Sequence, residues 1–310
     1  MKTEVYKQLS ELFPAAEILY NEPMSKHTTF RIGGAADVFI RIASEEQLKL
    51  LIPELVKNEM PYYVIGKGSN LLVGDKGFRG VVIQLDDGFE SIKVNKNVVT
   101  ACAGASMAKV ANTALQNRLA GFEFAAGIPG SVGGGVIMNA GAYGGEMKDV
   151  VSRVRVLCKD GNVKEYTNEE MCFGYRFSAL KNKPEYIVLE VEMELTPGNE
   201  EEILAKMQDL AKRRKDKQPL EFPSAGSTFK RPEGYFAGKL IGDTGLSGYS
   251  VGDAEVSVKH NGFVINRGKA TAADVRTLIE TIQCKVYEQF GVHLEREVIY
   301  LGDFREESDN

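Results

Sequence analysis

Two stretches of the 310-residue chain have a residue pattern suited to holding an anion. The first is GKGSNLLVGDKG, from Gly66 to Gly77. The second is GFEFAAGIPGSVGGGVIMNAGAYGG, from Gly121 to Gly145, with nine of the chain's 32 glycines. Glycine adopts positive φ and lets a ligand approach the main chain. Successive amides in such turns point at one spot and form an anion nest. Two such loops suit a long ligand with a central diphosphate, although tight turns and close packing use glycine equally well. Neither loop follows a common phosphate fingerprint. Gly66 and Gly68 open a G-x-G-x-x-G, but Leu71 stands at the third glycine position, and the stretch from Gly262 to Lys269 is one residue too long for a P-loop. A basic run adds cations: Arg213, Arg214 and Lys217, with Lys230 and Arg231 further on. These charges complement a helix dipole, and they also suit a nucleotide diphosphate and a carboxylate.

Other chemistry is poorly served. The three histidines, His27, His260 and His293, have no metal-ligand spacing, and no nucleophile-elbow G-x-S-x-G exists. Cys102, Cys158, Cys172 and Cys284 lie far apart without a C-x-x-C, so they read as reduced thiols. A net charge of −5 argues against nucleic acid as a partner. No apolar run reaches the roughly 18 residues of a membrane span. The first thirteen residues read as an amphipathic helix without the apolar core of a signal peptide. The expectation is a cytoplasmic protein with no membrane contact and no obligate protein partner.

The elements that must position these loops are legible in outline. Residues 38–42, 62–65 and 81–85 read as strands, and a capping box at Ser44 and Gln47 opens a helix through about Asn58. Residues 91–95 and 98–104 are strand-like, and Ser106 caps a helix through about Arg118. Residues 153–167 form a hairpin about Asp160 and Gly161, and 185–195 is a further strand. Asn199 caps a helix with Glu200, Glu201 and Glu202 in its first turn and the basic run in its last. Short strands follow, then a long helix from Thr271 to a stop at Gly291, and a final strand over 298–301. The expected division is 1–88, 89–200 and 201–310.

Six motifs occur in order: HTTFRIGGAADVFI at 27–40, GKGSNLL at 66–72, GIPGSVGGGVIMNAGAYG at 127–144, FGYRFSAL at 173–180, PSAGSTFKRP at 223–232 and LEREV at 294–298. Together they resemble the UDP-N-acetylenolpyruvoylglucosamine reductase family (UDP-N-acetylmuramate dehydrogenases), over nearly the whole chain. The resemblance implies an α+β protein. Two α/β subdomains would form an FAD-binding fold of the vanillyl-alcohol-oxidase (PCMH) type, followed by a C-terminal α/β substrate-binding domain. It implies non-covalent FAD, so that His27 is a structural hydrogen-bonding group. Gly66, Lys67, Gly68, Ser69, Asn70 and Leu71 would form one wall of the cofactor site. Gly127, Ile128, Pro129, Gly130, Ser131, Gly133 and Gly134 would form the other, with Asn139, Gly141 and Ala142 near the isoalloxazine.

The reaction implied is reduction of UDP-N-acetylglucosamine enolpyruvate to UDP-N-acetylmuramate, for peptidoglycan precursors. NADPH reduces FAD, and flavin N5 delivers hydride to the vinyl carbon. Ser227 then protonates an enolate-like intermediate stabilised by Arg176 and Glu297. Glu295 is the local competitor of Glu297. Tyr175, Arg213, Arg214, Lys217 and Lys230 would meet the substrate. Ile299 stands where the family commonly has an arginine, which leaves the flavin-side charge unassigned. A loop carrying a substrate tyrosine has no room, as in the family's shorter subgroup. Two other readings remain: a different FAD oxidase or dehydrogenase of the same fold, and a non-catalytic nucleotide sensor.

Overall fold

The computed structural model describes residues 13, 17–85 and 87–304. The helix expected over 1–13 therefore lies, Phe13 apart, outside the described residues. Contacts divide the chain into two compact units. The first takes the described part of Met1–Tyr20 with Val38–Lys67 and Gly80–Arg214. The second takes Asn21–Asp37, Gly68–Arg79 and the described part of Lys215–Asn310.

A four-stranded sheet is built from β1 (Glu17–Pro23), β2 (Ala35–Ile42), β3 (Tyr62–Ile65) and β5 (Phe78–Leu85), in the order β1-β2-β5-β3. β3 runs parallel to β5, with Ile65 opposite Gln84. Between β2 and β3 lies α1 (Glu45–Lys57), which buries Leu48, Leu51, Ile52 and Leu55, one face at helical spacing. They pack with Val38, Ile40, Ile42, Val81 and Ile83 in one hydrophobic core. The Ser44 hydroxyl accepts from the Gln47 amide at 3.2 Å, as expected. The return bond from Gln47 goes to the amide of Ala43 rather than to Ser44.

The first unit's second core lies on an antiparallel five-stranded sheet. Its strands are β6 (Ile92–Asn95), β7 (Val98–Cys102), β8 (Val151–Leu157), β9 (Val163–Thr167) and β10 (Ile187–Glu194), in the order β9-β8-β10-β7-β6. The β8–β9 hairpin turns at Gly161, whose φ of 83° suits glycine. Two helices serve this core. α2 (Met107–Gln116) is capped by Ser106, and the short α3 (Val132–Ile137) by Ser131. Helix α4 (Glu200–Lys217) starts where Asn199 Oδ1 accepts from the amides of Glu201 and Glu202.

The second unit has its own core, to which α5 (Ala237–Asp243) gives Leu240 and Ile241 and α6 (Ala272–Phe290) gives Val275, Leu278, Ile279, Ile282 and Val286. Thr271 and Asp274 close a full capping box, and Gly291 ends the helix at φ 66°. Asp75, in the first glycine loop, reinforces that start by accepting from the amides of Ala272 and Ala273. Residues 71–73, expected as loop, are a strand, β4 (Leu71–Val73). It pairs in parallel with the last strand, Ile299–Leu301. Its partner lies more than two hundred residues away, so no local pattern announces it.

Candidate functional site

In the first unit the two glycine loops meet. A Cβ on Gly66 would stand 2.1 Å from Ser131 Oγ, so only glycine lets β3 end there. The second loop is stitched to residues 103–107. Met107 N donates to Gly130 O at 3.0 Å, Val132 N to Ala105 O at 2.8 Å and Gly133 N to Ala103 O at 2.9 Å. Gly133 is thus a packing glycine, since a Cβ would lie 2.8 Å from that of Ala103. Gly134 is different. It is exposed, and a Cβ there would meet only Ser131 Oγ, at 3.5 Å. Packing does not require this glycine, whereas close approach of a ligand to the main chain would. Gly127 is crowded by a side chain, with Arg214 Nη1 3.1 Å from the place of its Cβ.

Lys67 is committed within the protein. Its ammonium pairs with Glu90 at 2.7 Å, and Lys109 reaches the other oxygen at 3.5 Å. The hydrogen bond from Lys67 leads in holding the Glu90 carboxyl below its usual range. Asn139 is also spent internally. It is fully buried at φ 43°. Its Nδ2 donates to Glu146 at 2.8 Å and to Gly174 O at 2.9 Å, and its Oδ1 accepts from Lys148 N at 2.9 Å. It braces three segments rather than presenting a group to a ligand. Gly141 and Ala142 pair with Gly145 and Glu146 across a tight hairpin, with Tyr143 and Gly144 at φ 54° and 94°.

Asn139 also fixes Arg176. Gly174 and Phe177 exchange both backbone hydrogen bonds, at 3.0 and 3.1 Å, leaving Tyr175 and Arg176 at the apex of a two-residue turn. Arg176 has φ 53°, a strained value for a residue with a side chain. Asn139 holds the turn at Gly174, and the buried Ser178 holds it at the other side by donating to Ile137 O at 2.8 Å. The guanidinium lies 5.2 Å from the half-exposed ring of Tyr175.

The basic run divides. Arg213 is exposed and paired with Asp209 at 2.8 Å. Lys217 is exposed at the end of α4. Arg214 Nε is buried and has no hydrogen-bond partner among the described residues. Burial pushes the Arg214 pKa down, and the nearby phenol of Tyr143 opposes that.

In the second unit the other half of the first loop is held by close main-chain packing. Gly68 has φ 62°, and a Cβ would stand 2.0 Å from His27 O. His27 itself is buried against Glu22, with Nε2 3.0 Å from the carboxylate. Leu71 starts β4 and is buried. Thr228, the residue after Ser227, and Glu297 come together on one ladder. Glu297 N donates to Thr228 O at 2.9 Å, and Lys230 N to Glu295 O at 2.8 Å, about a bridge between Phe229 and Arg296. Thr228 is buried, and its hydroxyl accepts from Val264 N at 2.9 Å. The main chain of Glu297 is further pinned by Asn70, whose Nδ2 donates to its carbonyl at 3.2 Å. Ile299 N returns a bond to Asn70 O at 3.0 Å. Glu295 is exposed and takes the Lys230 ammonium, which leaves Glu297, half-buried, as the better placed carboxyl.

Three supports were not singled out from the sequence. Thr29 Oγ1 donates to Ser224 O at 2.7 Å, bracing the turn before Ser227. Asn266 Nδ2 donates to Phe30 O at 3.1 Å, and Ser178 clamps Arg176. Thr29 stands within the HTTF motif and Ser178 within FGYRFSAL, while Asn266 lies in none of the six motifs.

These features define a flavoprotein-type scaffold. The loops fit FAD, because they join an exposed glycine with no packing duty to a half-buried arginine whose Nε lacks a hydrogen-bond partner. The model of the FAD binding domain matches residues 36–167, and that of the UDP-N-acetylenolpyruvoylglucosamine reductase C-terminal domain matches residues 218–301. UDP-N-acetylenolpyruvoylglucosamine reductases of Caldanaerobacter subterraneus and Clostridioides difficile are 52% and 51% identical. They cover 96% and 97% of this chain, and 97% and 98% of their own length. The crystal structure of the enzyme from Thermus caldophilus superposes with a TM-score of 0.79 at 37% identity, over 92% of this chain and 98% of that one. The chain belongs to the UDP-N-acetylenolpyruvoylglucosamine reductase family, with the α+β fold expected: an FAD-binding domain followed by a C-terminal domain.

Proposed function

We propose that this chain reduces UDP-N-acetylglucosamine enolpyruvate to UDP-N-acetylmuramate, in the synthesis of peptidoglycan precursors, with FAD as resident cofactor and NADPH as reductant. The vinyl ether gains a hydride at its terminal carbon and a proton at the carbon bearing the carboxylate. Bound FAD supplies the hydride chemistry. The protein's own residues do the rest. Gly66, Gly68, Ser69 and the loop from Gly127 to Gly134 hold the cofactor by main-chain approach. Asn139 and Gly141 keep that loop and the Arg176 turn in shape.

Arg176 holds the substrate carboxylate, where negative charge grows as the double bond is reduced. A guanidinium does this bidentately and stays charged at all working pH values. Glu297 assists at the same carboxylate, and the Ser227 hydroxyl gives up the proton. A hydroxyl is a weak acid, but an enolate-like carbon is basic enough to take its proton. Lys217 and Lys230 belong with the substrate diphosphate, with Tyr175 beside the sugar or carboxylate.

One observation carries the reading: Glu297 N bonds to the carbonyl of Thr228, the residue after Ser227, across a long stretch of sequence, and the Glu297 carbonyl is pinned by Asn70 of the glycine loop. We also propose a three-part division at 1–88, 89–200 and 201–310, with the three hydrophobic cores as support; by contacts 21–37 and 68–79 group with the last part and 201–214 with the first unit. Among the described residues no helix is long and apolar enough to cross a membrane. We place the enzyme in the cytoplasm, where a nucleotide-linked substrate and NADPH are both met.

The test is anaerobic. NADPH should bleach the flavin band of the purified protein, and the enolpyruvyl nucleotide should restore it. Ser227→Ala should leave bleaching intact and slow reoxidation by about 10²- to 10⁴-fold. Reoxidation by oxygen but not by that nucleotide would favour the oxidase reading. No flavin band after addition of FAD would refute the cofactor assignment.

A further inference from the structure

Arg214 is the one member of the basic run whose setting differs in kind. Arg213 has Asp209, and Lys230 has Glu295. Arg214 has no carboxylate within ion-pair reach among the described residues, and its Nε is buried without an acceptor. Arg214 is half-buried, and leaving a partly desolvated charge unpaired is costly. Such a group is retained when something outside the chain supplies the anion. The position says what. The guanidinium lies over the Cα of Gly127, with Nη1 and Cδ 3.1 and 3.2 Å from where a Cβ would be. Gly127 lies in the second glycine loop, and Ser131 of that loop abuts Gly66 of the first. The phenol of Tyr143, the turn residue after Ala142, is its electrostatic neighbour. Every group named here lies in the first unit. Lys217 and Lys230 lie in the second.

We propose, resting on the FAD reading above, that Arg214 serves the cofactor rather than the substrate, and that its guanidinium holds the diphosphate of FAD. The diphosphate is preferred to the flavin ring for a physical reason. A partly desolvated cation needs its counter-charge in every redox state. Oxidised flavin is neutral, whereas the diphosphate carries its charge throughout, and its oxygens match the five-donor fork of arginine. Ile299 at the usual arginine position is then no gap to be filled by Arg214.

The test is equilibrium binding to apo protein, followed by flavin fluorescence, with ADP as a competitor that carries a diphosphate but no flavin. Arg214→Met should raise the Kd of FAD by roughly ten- to a hundredfold, and that of ADP by a similar factor. Arg214→Lys should recover part of the loss, and the exposed neighbour variant Lys215→Met should change neither. Apo Arg214→Met should melt no lower than apo wild type, because it removes an unpaired, partly desolvated charge; a structural role would lower it.

Three results overturn the proposal. One is FAD and ADP affinities unchanged within twofold in both Arg214 variants. Another is a loss for FAD alone with a shifted flavin potential, which would put Arg214 at the ring. The third is a raised Kd for the enolpyruvyl nucleotide on holoenzyme with FAD binding intact, which would return Arg214 to the substrate. If Arg214→Met does not fold, Arg214→Lys is read by the same criteria. Wild-type protein that binds neither FAD nor ADP refutes the functional reading itself.

Discussion

Ser178 donates to Ile137 O at 2.8 Å and Asn139 to Gly174 O at 2.9 Å, and between these fixed points stand Tyr175 and Arg176. Arg176 holds φ 53° because its neighbours over-determine it. Ser178→Ala should cost about 1 kcal/mol of stability, as one buried hydrogen bond does. It should also slow substrate-driven reoxidation of the flavin without touching substrate. Stopped-flow absorbance on each half-reaction checks this; an equal effect on bleaching would mean a general loosening instead. Arg176→Lys keeps the charge but loses the fork, and should lower reoxidation by about 10²-fold. At Lys67 the charge is spent on Glu90. The folded Glu90 pKa is lowered, so the pair contributes stability above the ordinary carboxylate pKa, and this is lost as pH falls through the folded value. Lys67→Met should therefore melt lower than wild type near neutral pH, with the gap closing in acid.

Elements with a local code were legible. Helical spacing marked α1 and α6, and Ser44, Ser106, Asn199 and Thr271 cap their helices as read. β1 carries no such signal, and β4 reads as loop because three residues cannot show a period. Glycines separate in the same way. Gly226, before Ser227, needs glycine only for its φ of 75°, with nothing within 4 Å of a Cβ. Gly77 has the same φ, but its Cβ would lie 1.8 Å from Ala35 O. Gly226→Ala should cost about 1–2 kcal/mol in urea unfolding, the usual price of left-handed backbone. Gly77→Ala should cost more, because a main-chain carbonyl must move; equal costs would show that the second segment yields freely.

At the scale of the whole molecule the chain makes two compact units, each assembled from three segments. Short pieces, 21–37 and 68–79, join the second unit although they precede most of the first in sequence. FAD bound only by the folded protein should stabilise it by about 2.7 kcal/mol at a hundredfold excess over its Kd. A melting temperature of apo protein that stays fixed as FAD is added would contradict that coupling.

Within those units the sequence alone determined the local matters. Cap residues, helical faces, the hairpin at Gly161 and the six ordered motifs each depend on neighbours a few positions away, so the family and its fold could be read before any coordinates. Only the tertiary structure decided which side chains are spent and which are left over. Lys67, Asn139, Arg213 and Lys230 have partners inside the protein, while Arg214 Nε has none among the described residues. The same holds for the ladder that brings Thr228, next to Ser227, against Glu297. Residue type fixes what a group can bind, but its partners come from chain segments brought close by packing, and packing is a sum over the whole fold.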